Sequence, residues 1–129
     1  MKIPRTATVA IAALTVLAFL VGGLIAGNIP IELRMGFIPA RWSGAAPPWA
    51  AVPAFLTPLS SALVHAGFLH LAFNLLMLIW CGSQVERVLG RGGLLILYVV
   101  GAYTAAAAQW AFDPQSIIPV VGPAARSAR

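Results

Sequence analysis

The sequence predicts an all-α integral membrane protein, and three observations carry that reading. The chain of 129 residues is 60% hydrophobic and only 9% charged, against about 25% charged residues in an ordinary soluble domain. Its few basic residues punctuate apolar runs: Lys2 and Arg5 at the start, Arg34 and Arg41 in one connection, Arg87 and Arg91 in another, Arg126 and Arg129 at the end. Three of the runs between them reach the ~20 residues that a helix needs to cross a bilayer. So few charges exclude a water-soluble globule, and the high hydrophobicity excludes intrinsic disorder. The net charge of +5 forms no patch, so nucleic acid is not an expected partner; charges at the flanks of apolar blocks suit a lipid bilayer instead. A single cysteine, Cys81, allows no disulfide framework. Two histidines without a neighbouring carboxylate or thiolate are too few for a metal site, and no cofactor is expected.

The first span is expected at residues 8–27, with Thr8 and Thr15 as its only polar side chains. A secretory signal peptide competes with that reading, because Lys2 and Arg5 precede an apolar run. The run exceeds the roughly 7–15 residues of a signal core, and Gly27-Asn28-Ile29-Pro30 offers no small-x-small cleavage site. Gly23 and Gly27, four apart, would let another helix approach closely. Residues 28–58 follow as a long loop, in which prolines at 30, 39, 47, 48, 53 and 58 forbid a continuous helix. Phe37, Ile38, Trp42, Trp49, Phe55 and Leu56 are too apolar for a solvated linker. The loop is therefore expected in the membrane interface, where a tryptophan ring is half-buried and its N–H stays wet. The second span is expected at 59–81, a short polar hairpin loop at 81–92, and the third span at 93–112. The alanines from Ala105 to Ala108 suit close packing of the third. The positive-inside rule places the N-terminus and the hairpin loop in the cytoplasm.

Chemistry, if there is any, belongs to the second span, which holds Ser60, Ser61, His65, His70 and Asn74. Polar side chains within a span are costly and face a bundle interior or a water-filled cavity. His70 and Asn74 are four apart and so share a helix face; His65 is about 140° away on an ideal helix. Interhelical hydrogen bonds that hold a bundle together would explain the pair. So would donors aimed at a developing oxyanion, a role that histidine and asparagine suit. Glu86, from the residues alone, reads as a solvated charge paired with Arg87 or Arg91.

The stretch His65-Ala-Gly-Phe-Leu-His70-Leu-Ala-Phe-Asn74 has the H-x4-H-x3-N spacing that resembles the rhomboid family of intramembrane serine proteases. Gly82-Ser-Gln-Val-Glu86-Arg-Val-Leu-Gly90 is similar to that family's G-x3-E-x3-G hairpin, and the Trp-bearing loop is similar to its first loop. The resemblance covers about residues 8–121. It implies three transmembrane helices of a rhomboid-type six-helix bundle, a partial domain whose family cleaves transmembrane protein substrates, in a bacterial-type plasma membrane. It further implies that His70 and Asn74 help form an oxyanion hole, that His65 is a structural hydrogen-bonding residue beside them, and that Glu86, Gly82 and Gly90 brace the hairpin. Many members carry an Arg eight residues before the first His; here that position is Thr57.

The nucleophile of the family is a Ser in a G-x-S-G motif at the start of the fourth helix, and its base is a His on the sixth. Residues 113–122 resemble the lead-in to that motif. Aligned on Gly122, however, the nucleophile position is Ala124 and the second glycine is Ala125. Ser127 is displaced, lacks a following glycine, and lies between Arg126 and Arg129; a serine without a positioned base is a weak nucleophile. The chain is therefore expected to be an inactive fragment of a serine endopeptidase. The alternative is a non-catalytic pseudoprotease-like protein that binds transmembrane helices; a transporter fragment would leave the Glu86 hairpin unexplained. The tail 123–129 has a candidate genetic origin. One GC-rich coding of Ala-Ser-Gly-Ala-Ile-Ser-Ala, read without its first base, encodes Pro-Ala-Ala-Arg-Ser-Ala and then a codon beginning CG, which matches residues 123–129. Sequencing the gene checks this: the neighbouring frame after codon 122 should encode Gly-Ala-Ile-Ser and further apolar spans.

Overall fold

The computed structural model describes residues 6–25, 27–65 and 67–120; the expectations that concern Ala124, Ala125 and Ser127 lie outside them. The fold is all-helical. α1 spans Thr6–Ile25. The loop that follows carries three short helices, α2 (Ile31–Met35), α3 (Pro39–Trp42) and α4 (Thr57–Ser61), and a 3₁₀ turn at Ala54–Leu56. Its prolines start these pieces: Pro30 precedes α2, while Pro39 and Pro58 sit in the first turns of α3 and α4, where a missing N–H costs nothing. α5, Phe68–Met77, continues through a π-helical turn at Leu78–Gly82 into α6, Ser83–Phe112.

Two helical stretches are long and apolar enough to cross a membrane, Thr6–Ile25 and Phe68–Phe112. The second doubles back on itself. Leu78 and Tyr98 both pack against the small core of Ala7, Ile11 and Leu94, yet a straight helix would hold them about 30 Å apart. The reversal is at Gly90, whose φ of 79° and ψ of 176° lie in a region that a side chain disfavours. The limbs 68–89 and 91–112 are thus antiparallel, each about 33 Å long. The start of α1 and the Gly90 reversal share one end of the bundle, and the loop occupies the other.

Two expected boundaries are corrected. The second helix does not begin at Leu59: α4 ends at Ser61, the described residues 62–65 and 67 form a non-helical link, and α5 starts at Phe68. α4 is tied to α2 by Ser60 Oγ, which donates to Met35 O at 2.6 Å, and in the link Val64 and His65 are buried. The hairpin loop expected at 81–92 is helical up to Leu89. Its polar residues Gln84, Glu86 and Arg87 are good helix formers, and only Gly90 departs from helical geometry.

The loop end is ordered by aromatic side chains and backbone hydrogen bonds. Phe37, 1% exposed, meets Trp42 edge-on at 4.9 Å between ring centroids. Indole N–H groups donate to backbone or hydroxyl oxygens: Trp42 to Ala54 O, Trp49 to Leu33 O, Trp110 to Ser43 Oγ. Tyr103 donates to Phe55 O and thereby ties the second limb to the loop. The segment after α6 returns along the same loop, where Ala40 N donates to Ser116 O and Val120 N to Phe37 O. From this arrangement, cysteines placed at Ala45 and Gly92 should be labelled from opposite sides of the membrane by an impermeant maleimide in a Cys81→Ser background. Labelling of both from one side would refute the end-to-end arrangement.

Candidate functional site

His65, His70 and Asn74 come together at the loop end of α5. His70 and Asn74 lie on one helical face, and Asn74 Nδ2 donates to His70 O at 3.0 Å. His65 belongs to the non-helical link, and its ring packs edge-on against His70 with centroids 5.1 Å apart and planes at 66°. Among the described residues, neither ring nitrogen of His70 and not Nδ1 of His65 has a hydrogen-bond partner, although all three atoms are buried. A neutral imidazole offers one N–H and one acceptor, and a carboxamide has two N–H groups. Asn74 thus places one amide hydrogen on the carbonyl of His70 and has a second to offer. The cluster holds three buried ring nitrogens with no hydrogen-bond partner among the described residues. Thr57, at the position where many members carry an arginine, is fully buried and donates to Ala54 O at 2.7 Å; it closes the 3₁₀ turn that leads into α4.

Burial, followed by the neighbouring charge of His70, lowers the pKa of His65 below its ordinary value, against an opposing hydrogen bond to the Leu63 backbone. Lowering means that the folded state disfavours the imidazolium. Stability is then fully present above the unfolded value of about 6.5, and it is lost as the pH falls through the lowered folded value, because the unfolded chain takes up the proton first.

The other group of signature residues works at the opposite end. Glu86, 6% exposed, accepts hydrogen bonds from Ala7 N at 2.9 Å, Thr8 N at 2.9 Å and Thr8 Oγ1 at 2.8 Å. Backbone N–H groups in the first turn of a helix have no intrahelical partner, and a carboxylate there also meets the positive end of the helix dipole. Glu86 is thus a cap for α1 supplied from far along the chain. It is not paired with Arg87, whose guanidinium meets Gln84 Oε1 instead. Gly82 makes the approach possible: a Cβ on it would lie 3.2 Å from Leu78 Cδ1 and 3.4 Å from Thr8 Cγ2. Thr8 is the residue that the sequence reading underused; a threonine at the start of an apolar run was the available signal. Among the described residues, no group of three or more His, Cys, Asp or Glu could hold a metal ion.

Comparison with known proteins agrees with the two motifs. A family profile described as Rhomboid domain matches residues 53–126, more than half of the chain. The chain is 41% identical over 59 residues to rhomboid protease GluP of Bacillus subtilis, which covers 46% of this chain and 11% of that protein. It is 40% identical over 67 residues to rhomboid protease GlpG of Pectobacterium atrosepticum, covering 47% of this chain and 24% of that protein. Rhomboid protease GlpG of Serratia proteamaculans is 41% identical over 55 residues, covering 43% of this chain and 20% of that protein. The chain thus spans a quarter or less of the length of these curated relatives. No solved structure matches it.

Two outcomes follow. Glu86→Gln should lower the thermal midpoint of the detergent-solubilised chain, because the N–H groups of Ala7 and Thr8 lose a charged acceptor; Arg87→Gln should leave the midpoint almost unchanged. Acidification from about pH 7.5 to 5.5 should lower the midpoint, and His65→Gln should flatten that dependence.

Proposed function

Because the chain belongs to the rhomboid family, we propose that it is the front part of an intramembrane serine endopeptidase and supplies the oxyanion-binding donors of its active site. The observation that carries this reading is the buried, partnerless imidazole of His70 with the Asn74 amide one turn along. Groups of this kind are costly in a membrane span unless something polar completes them. A tetrahedral intermediate at a scissile carbonyl would do so, its negative oxygen taking N–H groups from His70 and Asn74. His65 packs behind His70 and limits the rotation of its ring. Val120 N donates to Phe37 O at the loop end, the end that also holds these donors. The substrates would be transmembrane proteins, in a bacterial-type plasma membrane with the N-terminus and the Gly90 reversal cytoplasmic.

A second reading has its own observation. The positions that follow Gly122 are Pro123, Ala124 and Ala125, with no Ser–Gly pair, and no G-x-S-G occurs among the 129 residues. On that ground the chain as it stands is an inactive fragment or a non-catalytic, pseudoprotease-like binder of transmembrane helices.

One experiment separates these readings. The 129-residue chain in liposomes should cleave no transmembrane substrate above background, and Ser127→Ala should change nothing; cleavage abolished by that substitution would overturn the assignment of Ser127 as inert. A version extended by the neighbouring reading frame should gain activity. In it, His70→Ala and Asn74→Ala should each reduce turnover by about 10²–10³, the loss typical of one oxyanion donor. Indifference to both would leave them as packing residues.

A further inference from the structure

The signature residues of the second helix occur every fourth position. His70, Asn74, Leu78, Gly82 and Glu86 form one series, and each of them is buried or half-buried, as are Leu71, Leu75, Ser83 and Val85 beside them, whereas Phe73, Leu76, Met77, Ile79, Trp80 and Cys81 are exposed. A four-residue period does not fit an α-helix. At 3.6 residues per turn the series drifts about 40° per step, so Glu86 would lie about 160° from His70 and about 120° from Asn74. The donors and the α1 cap would then look in nearly opposite directions. The π-helical turn at Leu78–Gly82 lies between the two groups, and a turn closed i to i+5 takes up one more residue than an α turn. One absorbed residue removes about 100°. Glu86 then comes to about 60° from His70 and about 20° from Asn74.

We propose that this π turn is a positioning element: it carries one surplus residue whose function is to set the rotational phase between the His70–Asn74 face and the Glu86–Gly82 face. The claim does not depend on what the donors bind, and it stands even if His70 and Asn74 only pack. It makes an unusual demand on length changes. Removal of one residue from the turn leaves an unbroken α-helix with the same two faces aligned, whereas removal of two, or insertion of one, turns one face away by about 100°.

The test uses three variants of the full chain: deletion of the exposed Ile79, deletion of Ile79 and Trp80 together, and insertion of one leucine after Ile79. Two readouts follow the two faces. The cap is read as the loss of thermal midpoint in detergent on Glu86→Gln. The donor face is read by spin labels at Phe73→Cys and Asn74→Cys in a Cys81→Ser background in liposomes, where oxygen accessibility should be high at 73 and low at 74. The single deletion should keep both signatures, with the Glu86→Gln loss within about 2 °C of the parent's. The double deletion and the insertion should each lose one or both. The proposal fails if the single deletion loses either signature, or if the double deletion or the insertion keeps both.

Discussion

The carboxylate of Glu86 at the start of α1 is the constraint on which the arrangement depends. Burying a charge is costly unless it is fully hydrogen-bonded, and the three donors of Ala7 and Thr8 supply that compensation from a helix end that would otherwise leave its own N–H groups unpaired. Each side solves the other's problem. Where lipid provides no hydrophobic drive for helices to associate, such a polar contact decides which faces meet. The two glycines that flank Glu86 by four residues serve the same contact, Gly82 through close approach to Thr8 and Gly90 through the reversal that returns Leu94 to Ala7 and Ile11.

The other end is built on different physics. No carboxylate clamps it; aromatic rings and backbone carbonyls do. Prolines deprive the loop of helical hydrogen bonds, and the indole and phenol donors return some of them by reaching carbonyls of Leu33, Ala54 and Phe55. The result is a folded cover rather than a linker. It holds the segment 113–120 in place through Phe37 and Ala40, so both the imidazoles and the departing chain are organised at one end by one structure.

Much of this was legible in the sequence, because it is local. α1 and the limb 91–112 follow from the lengths of their apolar runs, and the shared face of His70 and Asn74 follows from a spacing of four. The misplaced start of the second helix has a clear cause. Residues 59–81 are mostly apolar, and the helix break after Ser61 accompanies long-range contacts, Ser60 with Met35 and the burial of Val64 and His65, which no local pattern encodes. Polarity misled at 81–89 for the opposite reason: the segment reads as a loop, and the partners that bury Glu86 in a helix lie 78 and 79 residues away. The π turn left no compositional trace at all.

In the sequence the two motifs read as separate signatures, H-x4-H-x3-N for chemistry and G-x3-E-x3-G for a hairpin. In this helix they are one series. Positions 70, 74, 82, 86 and 90 share a single four-residue register, and Leu78, which packs against Ala7, Ile11 and Leu94, fills the gap between the motifs. A period of four sustained over that length cannot lie along one side of a regular α-helix, so a series of this kind requires a wider turn somewhere within it. The wider turn falls between the last donor and the first cap residue. There it can correct the phase of the whole series without disturbing the hydrogen bonds of either group. His65 stands outside the register, and it stands outside the helix as well, in a link that lets it approach His70 from the side rather than from the turn below.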